Sequence, residues 1–453
     1  MSTVTTSSGR PRLARAPRTT PPPEIRVLDG PVLLAHLDDG PSLEAHRRRF
    51  GPCPTLGLDA IVDATTAVDV RGRGGAGFPF SVKLTTAARR RRRVVVVNLA
   101  EGEPASAKDS ALAIFVPHRV LDGAACVAHA LGAHEVHVVV PGDRPGVGDA
   151  VSHAVTERRK AGERLRWTLH RARPAFVAGQ ARAVLELMAG RENLPVTAWV
   201  PEAVSGHRGR PTLLSNGETW AQVGALLRGG PEASAAHGTA DEPGTTLLTI
   251  ARDCRDLEGT EGIEGTEGSA TTEVVEVGYG TPWSALLSAE QLARPVLLGG
   301  YHGTWAPPGR LSDAVVSRSG SAALGLALGA GVVLPLPPGA CPLTQTSEIV
   351  GYLAGQSARR CGPCLNGLPA LADALTRVAA GPEDPGDLDV VLSARDRVDE
   401  LLLLVDGRGA CAHPDGTVRL VRSLLRAVPD ETTRHAAGRC DFTPGPLPRG
   451  SAT

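Results

Sequence analysis

The sequence has no excess charge of either sign and no apolar stretch long enough to span a bilayer. Lysine plus arginine equals aspartate plus glutamate at 48 each, so no overall electrostatic attraction draws the chain to nucleic acid or an acidic membrane surface. The first residues combine Arg, Ser, Thr and Pro without the apolar core of a signal peptide. We therefore expect a cytoplasmic protein with no nucleic-acid partner and no direct membrane insertion.

Cysteine is also sparse, with eight residues in a chain of 453. This density is too low for a disulfide scaffold. Cys53, Cys126, Cys254 and Cys440 stand alone in the sequence, whereas the other four fall in the C-terminal third. A chain of this length exceeds one ordinary hydrophobic core, so we expect about two or three domains.

The pattern of apolar residues predicts an α/β protein. Residues 1–25 lack hydrophobic periodicity and are expected to be a disordered tail. Residues 55–235 alternate β-branched runs, at 94–100 and 134–142, with helical stretches such as 181–190. This alternation is typical of an α/β domain with a mostly parallel sheet.

Two further regions follow the α/β domain. Residues 244–310 contain two strand patterns on either side of a Gly/Glu repeat at 257–268, which predicts a small β-rich module with a flexible insert. Residues 340–430 contain several short amphipathic helical patterns. These indicate a C-terminal helical bundle.

A glycine-rich segment, RGRGGAGFPFSVK, contains Gly72, Gly74 and Gly75. Missing side chains let backbone N–H groups approach a phosphate, and Lys83 could add a positive charge. The spacing fits neither a Walker loop nor a dinucleotide fingerprint. A simple turn remains the alternative interpretation.

An acidic segment, NLAEGEPASAKD, follows the valine-rich strand pattern directly and places Asn98, Glu101, Glu103, Lys108 and Asp109 at its carboxyl end. In open α/β sheets, ligands bind at this edge. A solvated polar loop is an equally simple interpretation.

The cysteines of CGPC, Cys361 and Cys364, and the later Cys411 are the strongest local chemical signal. Thiolates three positions apart at a helix start can bind one metal centre. A zinc site completed by His413 is chemically sound. A thioredoxin-type dithiol requires a preceding strand, whereas the preceding segment has a helical pattern.

Four motifs occur in one order: GRGGAGFP, then N-x-x-E-G-E-P-x-x-x-K-D, RGRPTLLSNGET and GGYHGTW. Over residues 55–425 the chain resembles the flavin (NADH-binding) subunit of respiratory complex I and related hydrogenase and formate dehydrogenase subunits, as a divergent actinobacterial-type paralogue. The resemblance implies an FMN-binding α/β domain, a β-grasp-like ligand-binding module and a helical iron-sulfur domain. Carried over by position, the cofactor-binding residues are Gly72, Gly74, Gly75, Lys83, Asn98, Glu101, Glu103, Gly179, Asn216 and Thr219.

Several positions depart from the family pattern around the nicotinamide. The family usually has an aspartate in place of Ala100 and two glutamates in place of Gln180 and Ala181, and its Lys-Pro-Pro-Phe segment corresponds to residues 198–201 here. Phe78 and Glu103 remain as NADH contacts. Because stacking and carboxylate hydrogen bonds each contribute roughly 1 kcal/mol or more, we expect FMN binding more strongly than NADH binding.

The cysteine pattern also departs from the family, which presents C-x2-C-x2-C and a later fourth cysteine. Cys361, Cys364 and Cys411 match the last three positions, and Ala358 stands in place of the first. Cys341 could fold back as the replacement ligand, or it could be a small buried residue. A third possibility is three cysteines completed by His413, by water or by an open iron corner.

The resemblance implies electron transfer between FMN and a [4Fe-4S] cluster, with NADH or another donor. It also implies a ferredoxin-like or quinone-linked partner protein within a multi-subunit complex, peripheral to a membrane. The alternative is a cofactor-poor scaffold or a zinc-binding paralogue that docks partners.

Overall fold

The computed structural model describes residues 25–252, 271–382, 384 and 387–443. The expected disordered tail, apart from its last residue, and the expected flexible insert at 257–268 lie outside the described residues. The strands are β1 Ile25–Val27, β2 Val94–Asn98, β3 Glu135–Pro141, β4 Arg166–Ala172, β5 Thr212–Asn216, β6 Thr245–Arg252, β7 Thr271–Gly278, β8 Val296–Leu298, β9 Thr304–Ala306 and β10 Val332–Pro335. The helices are α1 Leu43–Phe50, α2 Leu58–Ala67, α3 Phe80–Ala88, α4 Lys108–Phe115, α5 Pro117–Leu131, α6 Pro145–Lys160, α7 Ala181–Met188, α8 Gly217–Ala235, α9 Ala289–Leu292, α10 Arg318–Ala323, α11 Pro342–Gly355, α12 Leu368–Ala380, α13 Leu388–Val405, α14 His413–Ala427 and α15 Glu431–Ala436.

A four-stranded parallel sheet in the order β4-β3-β2-β5 forms the first layer of the fold. The valines of β2 are fully buried, because helices cover both faces of a central parallel strand and favour a continuous β-branched run there. Parallel strands end at one edge of a sheet, so β2 and β5 deliver their last residues side by side. This sheet confirms the predicted α/β class.

The second sheet has six strands in the order β1-β7-β6-β10-β8-β9 and mixes parallel and antiparallel pairs. The predicted module at 244–310 supplies four of them, while β1 and β10 come from outside it. β1 has three residues and pairs in parallel with β7, far along the chain. The sheet therefore extends beyond the predicted boundaries, because strands this short lack a readable periodicity.

The C-terminal helices α11 to α15 pack around a separate apolar core, as predicted. Trp305 of β9 joins this core, and its indole N–H donates to Thr346 Oγ1 of α11 at 2.9 Å. The second sheet and the helical region are thus fused through one buried aromatic side chain.

No single helix within the described ranges is long and apolar enough to cross a membrane. The pair α4 and α5 satisfies the length and composition together, but a bend of 93° separates the two helices.

Candidate functional site

Two asparagines occupy the carboxyl edge of the parallel sheet. Asn98 and Asn216 are register partners at the last positions of β2 and β5. Asn98 Nδ2 donates to the carbonyl of Gly179 at 2.8 Å, and its Oδ1 accepts from the backbone N–H of Ala100 at 3.1 Å. Asn216 caps α8, because its Oδ1 accepts from the backbone N–H of Thr219 at 3.2 Å. Both predicted residues therefore fix loops at the ligand edge.

Gly179 makes the closest backbone approach at this edge. A Cβ atom built on Gly179 would lie 2.3 Å from the carbonyl oxygen of Ala100. Only glycine permits this contact. A cavity of about 100 Å³ opens next to Ala100 and Gly179, where the family has an acidic side chain.

The glycine-rich loop lies against the same edge. Gly72 N–H donates to the carbonyl of Phe78 at 2.9 Å, which closes the loop. Gly75 has a φ of +101°, and a Cβ on Gly74 would meet the Asn216 side chain at 3.9 Å. The backbone N–H of Arg73 donates to Thr219 Oγ1 at 2.9 Å. The structure thus brings the predicted glycines, Asn216 and Thr219 together.

Lys83 is held by two acceptors near the loop. Its Nζ donates to Glu202 Oε1 at 3.1 Å and to the carbonyl of Leu214 in β5 at 3.0 Å. Glu202 was not identified from the sequence, where no motif singles it out. The ammonium group is therefore placed at the sheet edge, with part of its charge paired.

Glu101 uses its carboxylate inside the protein. The two oxygens accept from Ser106, from the backbone and hydroxyl of Ser110, from the backbone of Asp109 and from Arg144, at 2.6–3.1 Å. A carboxylate offers about four lone-pair sites, so this one is saturated. Glu101 fixes the start of α4 and the shape of the acidic loop.

Glu103 joins the acidic loop to the GGYHGTW motif. Its Oε2 accepts from the backbone N–H of Tyr301 at 2.8 Å, and its Oε1 accepts from Ala105 N–H at 3.3 Å. Burial raises the pKa of Glu103 to about 7. The second and fourth sequence motifs therefore meet through one titratable side chain.

A buried charge group lies beneath the glycine-rich loop. Lys108 Nζ lies 2.5 Å from Glu218 Oε2 and donates to the carbonyl of Arg73 at 3.1 Å. Asp109 Oδ1 accepts from the backbone N–H of Glu218 at 2.8 Å. Sequence reasoning missed Arg73 and Glu218, although both lie inside quoted motifs. Opposite charges compensate one another here, as burial requires.

A cavity of about 580 Å³ separates the glycine-rich loop from the second sheet. This volume lies in the range of ligand sites, which is about 300–1,000 Å³. Among the described residues, three buried polar atoms facing this region have no hydrogen-bond partner: Arg73 Nε, Arg318 NH1 and Tyr279 OH. Unsatisfied cationic donors beside open glycine backbone fit a phosphate-bearing ligand.

The three family-matched cysteines lie together at the start of α12 and the start of α14. Cys364 is buried in the π-helical turn Pro363–Gly367, and Cys361 and Cys411 are half-buried. Burial, together with the neighbouring Cys361 and Cys411, raises the pKa of Cys364 to about 12. A bound cation is therefore needed to keep these sulfurs as thiolates. The Gln180 side chain donates a hydrogen bond to Cys411.

The spacing of these thiols does not suit one zinc ion. Zinc–sulfur bonds of about 2.3 Å place two thiolates within about 4.6 Å of each other, whereas in the described part of the chain these three sulfurs do not all lie within 4.8 Å of one another. His413 is also engaged elsewhere, with Nδ1 3.1 Å from His302 Nε2 and Nε2 2.8 Å from the carbonyl of Leu353. The donor set fits a multi-iron cluster better than the zinc site with His413.

The structure corrects the assignment of Cys341 as a replacement cluster ligand. Its thiol lies 3.3 Å from His435 Nε2, in a group with Glu431 and Cys440. Ala358, at the position of the absent family cysteine, packs with Val177 and Leu194. The fold commits Cys341 to another part of the helical region.

Comparisons with known proteins agree with this geometry. Residues 65–225 match the Nuo51 FMN-binding domain, and residues 344–435 match the NADH-ubiquinone oxidoreductase-F iron-sulfur binding region. An F-type NADH-quinone oxidoreductase subunit of Rhizobium meliloti is 27% identical over 431 residues, which cover 92% of this chain and 98% of the relative. The F-type NADH-quinone oxidoreductase subunit of Streptomyces coelicolor, an actinobacterial relative, is 26% identical over 442 residues, covering 91% and 93%.

A solved structure shares the fold. The crystal structure of an NAD+-reducing [NiFe]-hydrogenase in the H2-reduced state aligns with a TM-score of 0.73 at 23% identity, covering 93% of this chain and 68% of that chain. Both family domains occur here in the order and positions that the motifs indicate. The chain belongs to the family of complex I flavin subunits, as a divergent electron-transfer oxidoreductase subunit with an FMN-binding domain and a 4Fe-4S-binding domain.

Proposed function

We propose that this chain passes electrons between FMN at the edge of the four-stranded sheet and a cluster held by Cys361, Cys364 and Cys411. One observation carries the proposal: Gly179 contacts the end of β2, and the next residue, Gln180, hydrogen-bonds Cys411. Two adjacent residues thus connect the flavin edge to the thiols. FMN, when bound, supplies the exchange of electrons singly or in pairs.

The chain's own residues have distinct roles in this proposal. The backbone of Gly72, Gly74 and Gly75 offers N–H groups to the phosphate, and Asn216 and Thr219 offer side-chain and backbone groups at the start of α8. Asn98 positions the loops around the ring. Because Glu101 is saturated and Lys83 is partly paired, these two residues hold the pocket's shape and charge.

Three thiolates hold the cluster in this proposal, and the corner above Ala358 receives no protein thiolate. Ala358 is buried in an apolar contact, so water or an open coordination position completes that corner. Cys361 and Cys411 are half-buried, which leaves one side of the cluster near the surface.

NADH is the donor that the names of the relatives indicate, and for this chain we propose weak NADH binding. Glu103 and the half-exposed Phe78 remain as contacts, and Trp199 is 93% exposed and free to stack on a base. Ala100, Gln180 and Ala181 provide no carboxylate for the ribose or amide hydrogen bonds. A reduced ferredoxin or another flavoprotein is therefore a second donor to test.

We also propose that the chain works within a multi-subunit complex, peripheral to a membrane and in the cytoplasm. The acceptor is a ferredoxin-like or quinone-linked electron-transfer protein that docks near the cluster. Leu365, next to Cys364, is 46% exposed, and Leu403 is 70% exposed. Exposed apolar side chains at the helical region suit a partner interface.

Anaerobic purification followed by measurement of flavin, iron, sulfide and the visible spectrum tests the proposal. We expect flavin with iron and sulfide, incomplete bleaching by NADH, and full bleaching by dithionite. Cys361→Ser should lose iron and sulfide while flavin stays, and Cys53→Ser, whose thiol contacts Cys126 instead, should lose none of them. A colourless protein after reconstitution would instead support the cofactor-poor scaffold.

A further inference from the structure

Four side chains with metal-binding atoms converge at the far end of the helical region. They are Cys341, Glu431, His435 and Cys440, and their ligand atoms all lie within 4.8 Å of one another. His435 is fully buried, and Glu431 and Cys341 are 3% and 5% exposed. The flavin and cluster proposals use none of these residues.

Three separate segments bring the four side chains together. Glu431 and His435 are four residues apart on α15 and therefore lie on one face of that helix. Cys341 immediately precedes α11, and Cys440 follows α15. The site thus connects the start of the helical region with its last described turn.

The orientation of His435 is fixed for a ligand role. Its Nδ1 lies 2.7 Å from the carbonyl oxygen of Ala379, and only a protonated nitrogen can donate to a carbonyl. The Nε2 atom then faces Cys341 Sγ at 3.3 Å and Glu431 Oε1 at 3.2 Å. Metal-binding histidines are commonly held by such a carbonyl on the second nitrogen.

Backbone donors orient the other groups. Asp441 N–H donates to Glu431 Oε1 at 3.3 Å, and Phe442 N–H donates to Cys440 Sγ at 3.4 Å. The backbone of Leu343 and Thr344 donates to the sulfur of Cys341. Backbone N–H groups aimed at sulfur stabilise a thiolate, which is the form that binds metal.

A simpler arrangement is a buried imidazolium–carboxylate pair of His435 and Glu431. That pair accounts for two of the four groups but gives no reason for two thiols at the same point. Two sulfurs, one imidazole nitrogen and one carboxylate oxygen match the ligands and number of a closed structural zinc site. This set explains why Cys341 lies here and not with Cys361.

We propose that Cys341, Glu431, His435 and Cys440 bind one divalent zinc-class ion in a tetrahedral structural site. Binding forms two metal–thiolate bonds, one imidazole bond and one carboxylate bond, and the two thiol protons leave to solvent. The ion would tie the end of α15 to the start of α11. The site is separate from the iron-sulfur centre and carries no electrons, because zinc has no accessible redox change.

Zinc and iron content of the purified full chain tests this site, with two variants that separate the two centres. Wild-type protein is expected to hold about one zinc ion per chain. Cys440→Ser should lose most of the zinc with iron and sulfide unchanged, whereas Cys361→Ser should lose iron and keep zinc. Zinc that persists in Cys440→Ser, or that disappears in Cys361→Ser, would overturn the proposal.

A second measurement remains informative where Cys440→Ser fails to fold. Chelated Cys361→Ser protein, otherwise intact, is titrated with Co²⁺ alone. The expected result is thiolate-to-cobalt absorption that saturates at about one equivalent, together with a higher melting temperature. The absence of this absorption, or a disulfide between Cys341 and Cys440 in protein purified under reducing conditions, would contradict the site.

Discussion

Gln180 donates a side-chain hydrogen bond to Cys411, and Gly179, the residue before it, accepts a hydrogen bond from Asn98 at 2.8 Å. The connection between the flavin edge and the thiols is therefore covalent through one peptide bond. Changes at Gln180 should be felt at the cluster, and changes at Gly179 should be felt at the flavin.

Gln180→Glu should lower the reduction potential of the cluster. The substitution removes an N–H donor from the Cys411 sulfur and adds a negative charge, and both effects favour the oxidised cluster. A shift on the order of tens of millivolts is expected, because about 1.4 kcal/mol corresponds to 59 mV for one electron. Redox titration followed by electron paramagnetic resonance measures it. Gln222→Glu, whose amide contacts Thr245 instead, should leave the potential unchanged, and equal shifts in both variants would contradict the link.

Gly179→Ala should destabilise the chain and release flavin. The new Cβ would lie 2.3 Å from a backbone oxygen of Ala100 that cannot rotate away, and such overpacking costs about 1–3 kcal/mol. Thermal melting and flavin content measure the two effects. Gly146→Ala is the control, because nothing lies within 4 Å of its added Cβ on α6. Flavin retained in Gly179→Ala at the control level would refute the close approach.

Asn216 should separate a capping role from a flavin-binding role. Asn216→Ala removes the N-cap of α8 and should cost about 1 kcal/mol, whereas Asn216→Ser keeps a capping oxygen and should cost little. Both variants lack the amide, so both should bind FMN more weakly if that amide contacts the cofactor. Urea unfolding and flavin titration distinguish the two. Weaker binding in the alanine variant alone would assign the effect to the cap.

Glu103 should make stability fall as the pH rises through neutrality. Burial raises its pKa from 4.5 to about 7, so between these values the folded state binds more protons than the unfolded state. Stability is therefore lost from about pH 4.5 to about pH 7. The contribution is on the order of 1–2 kcal/mol for this half-buried group.

Glu103→Gln removes that titration and still accepts from Tyr301 N–H. Relative to the wild type, its melting temperature should rise between pH 5 and pH 8. Glu44→Gln on the exposed surface of α1 is the control and should show no such trend. A constant difference across the pH range would show that Glu103 does not titrate there.

Local elements with strong patterns were predictable from the sequence. The β-branched runs gave β2 and β3, and the two strand patterns beside the Gly/Glu repeat gave β6 and β7. The helical periodicity after residue 345 identified the α12 bounds at 368 and 380. These elements form because their own residues favour them and because each buries one apolar face.

Partners across the chain were not predictable. Glu202 pairs with Lys83 over 119 residues, and neither residue carries a mark of the other. Cys341 was assigned by its nearness in sequence to Cys361, whereas the packing of α11 against α15 decides where its sulfur lies. The saturation of Glu101 by five donors likewise depends on how the loop folds, and its motif only indicates a carboxylate at a ligand edge.

The pairing of β1 with β7 governs the order in which the chain can be completed. Ile25 is among the first described residues, yet its partner Thr272 is made almost 250 residues later. During synthesis, β1 must wait unpaired while the whole four-stranded sheet is assembled, and long-range pairing of this kind is slow. A chain cut between α8 and β6 would leave β1 without its partner strand. The flavin domain expressed alone should therefore begin after β1, because an exposed strand edge invites association with other chains.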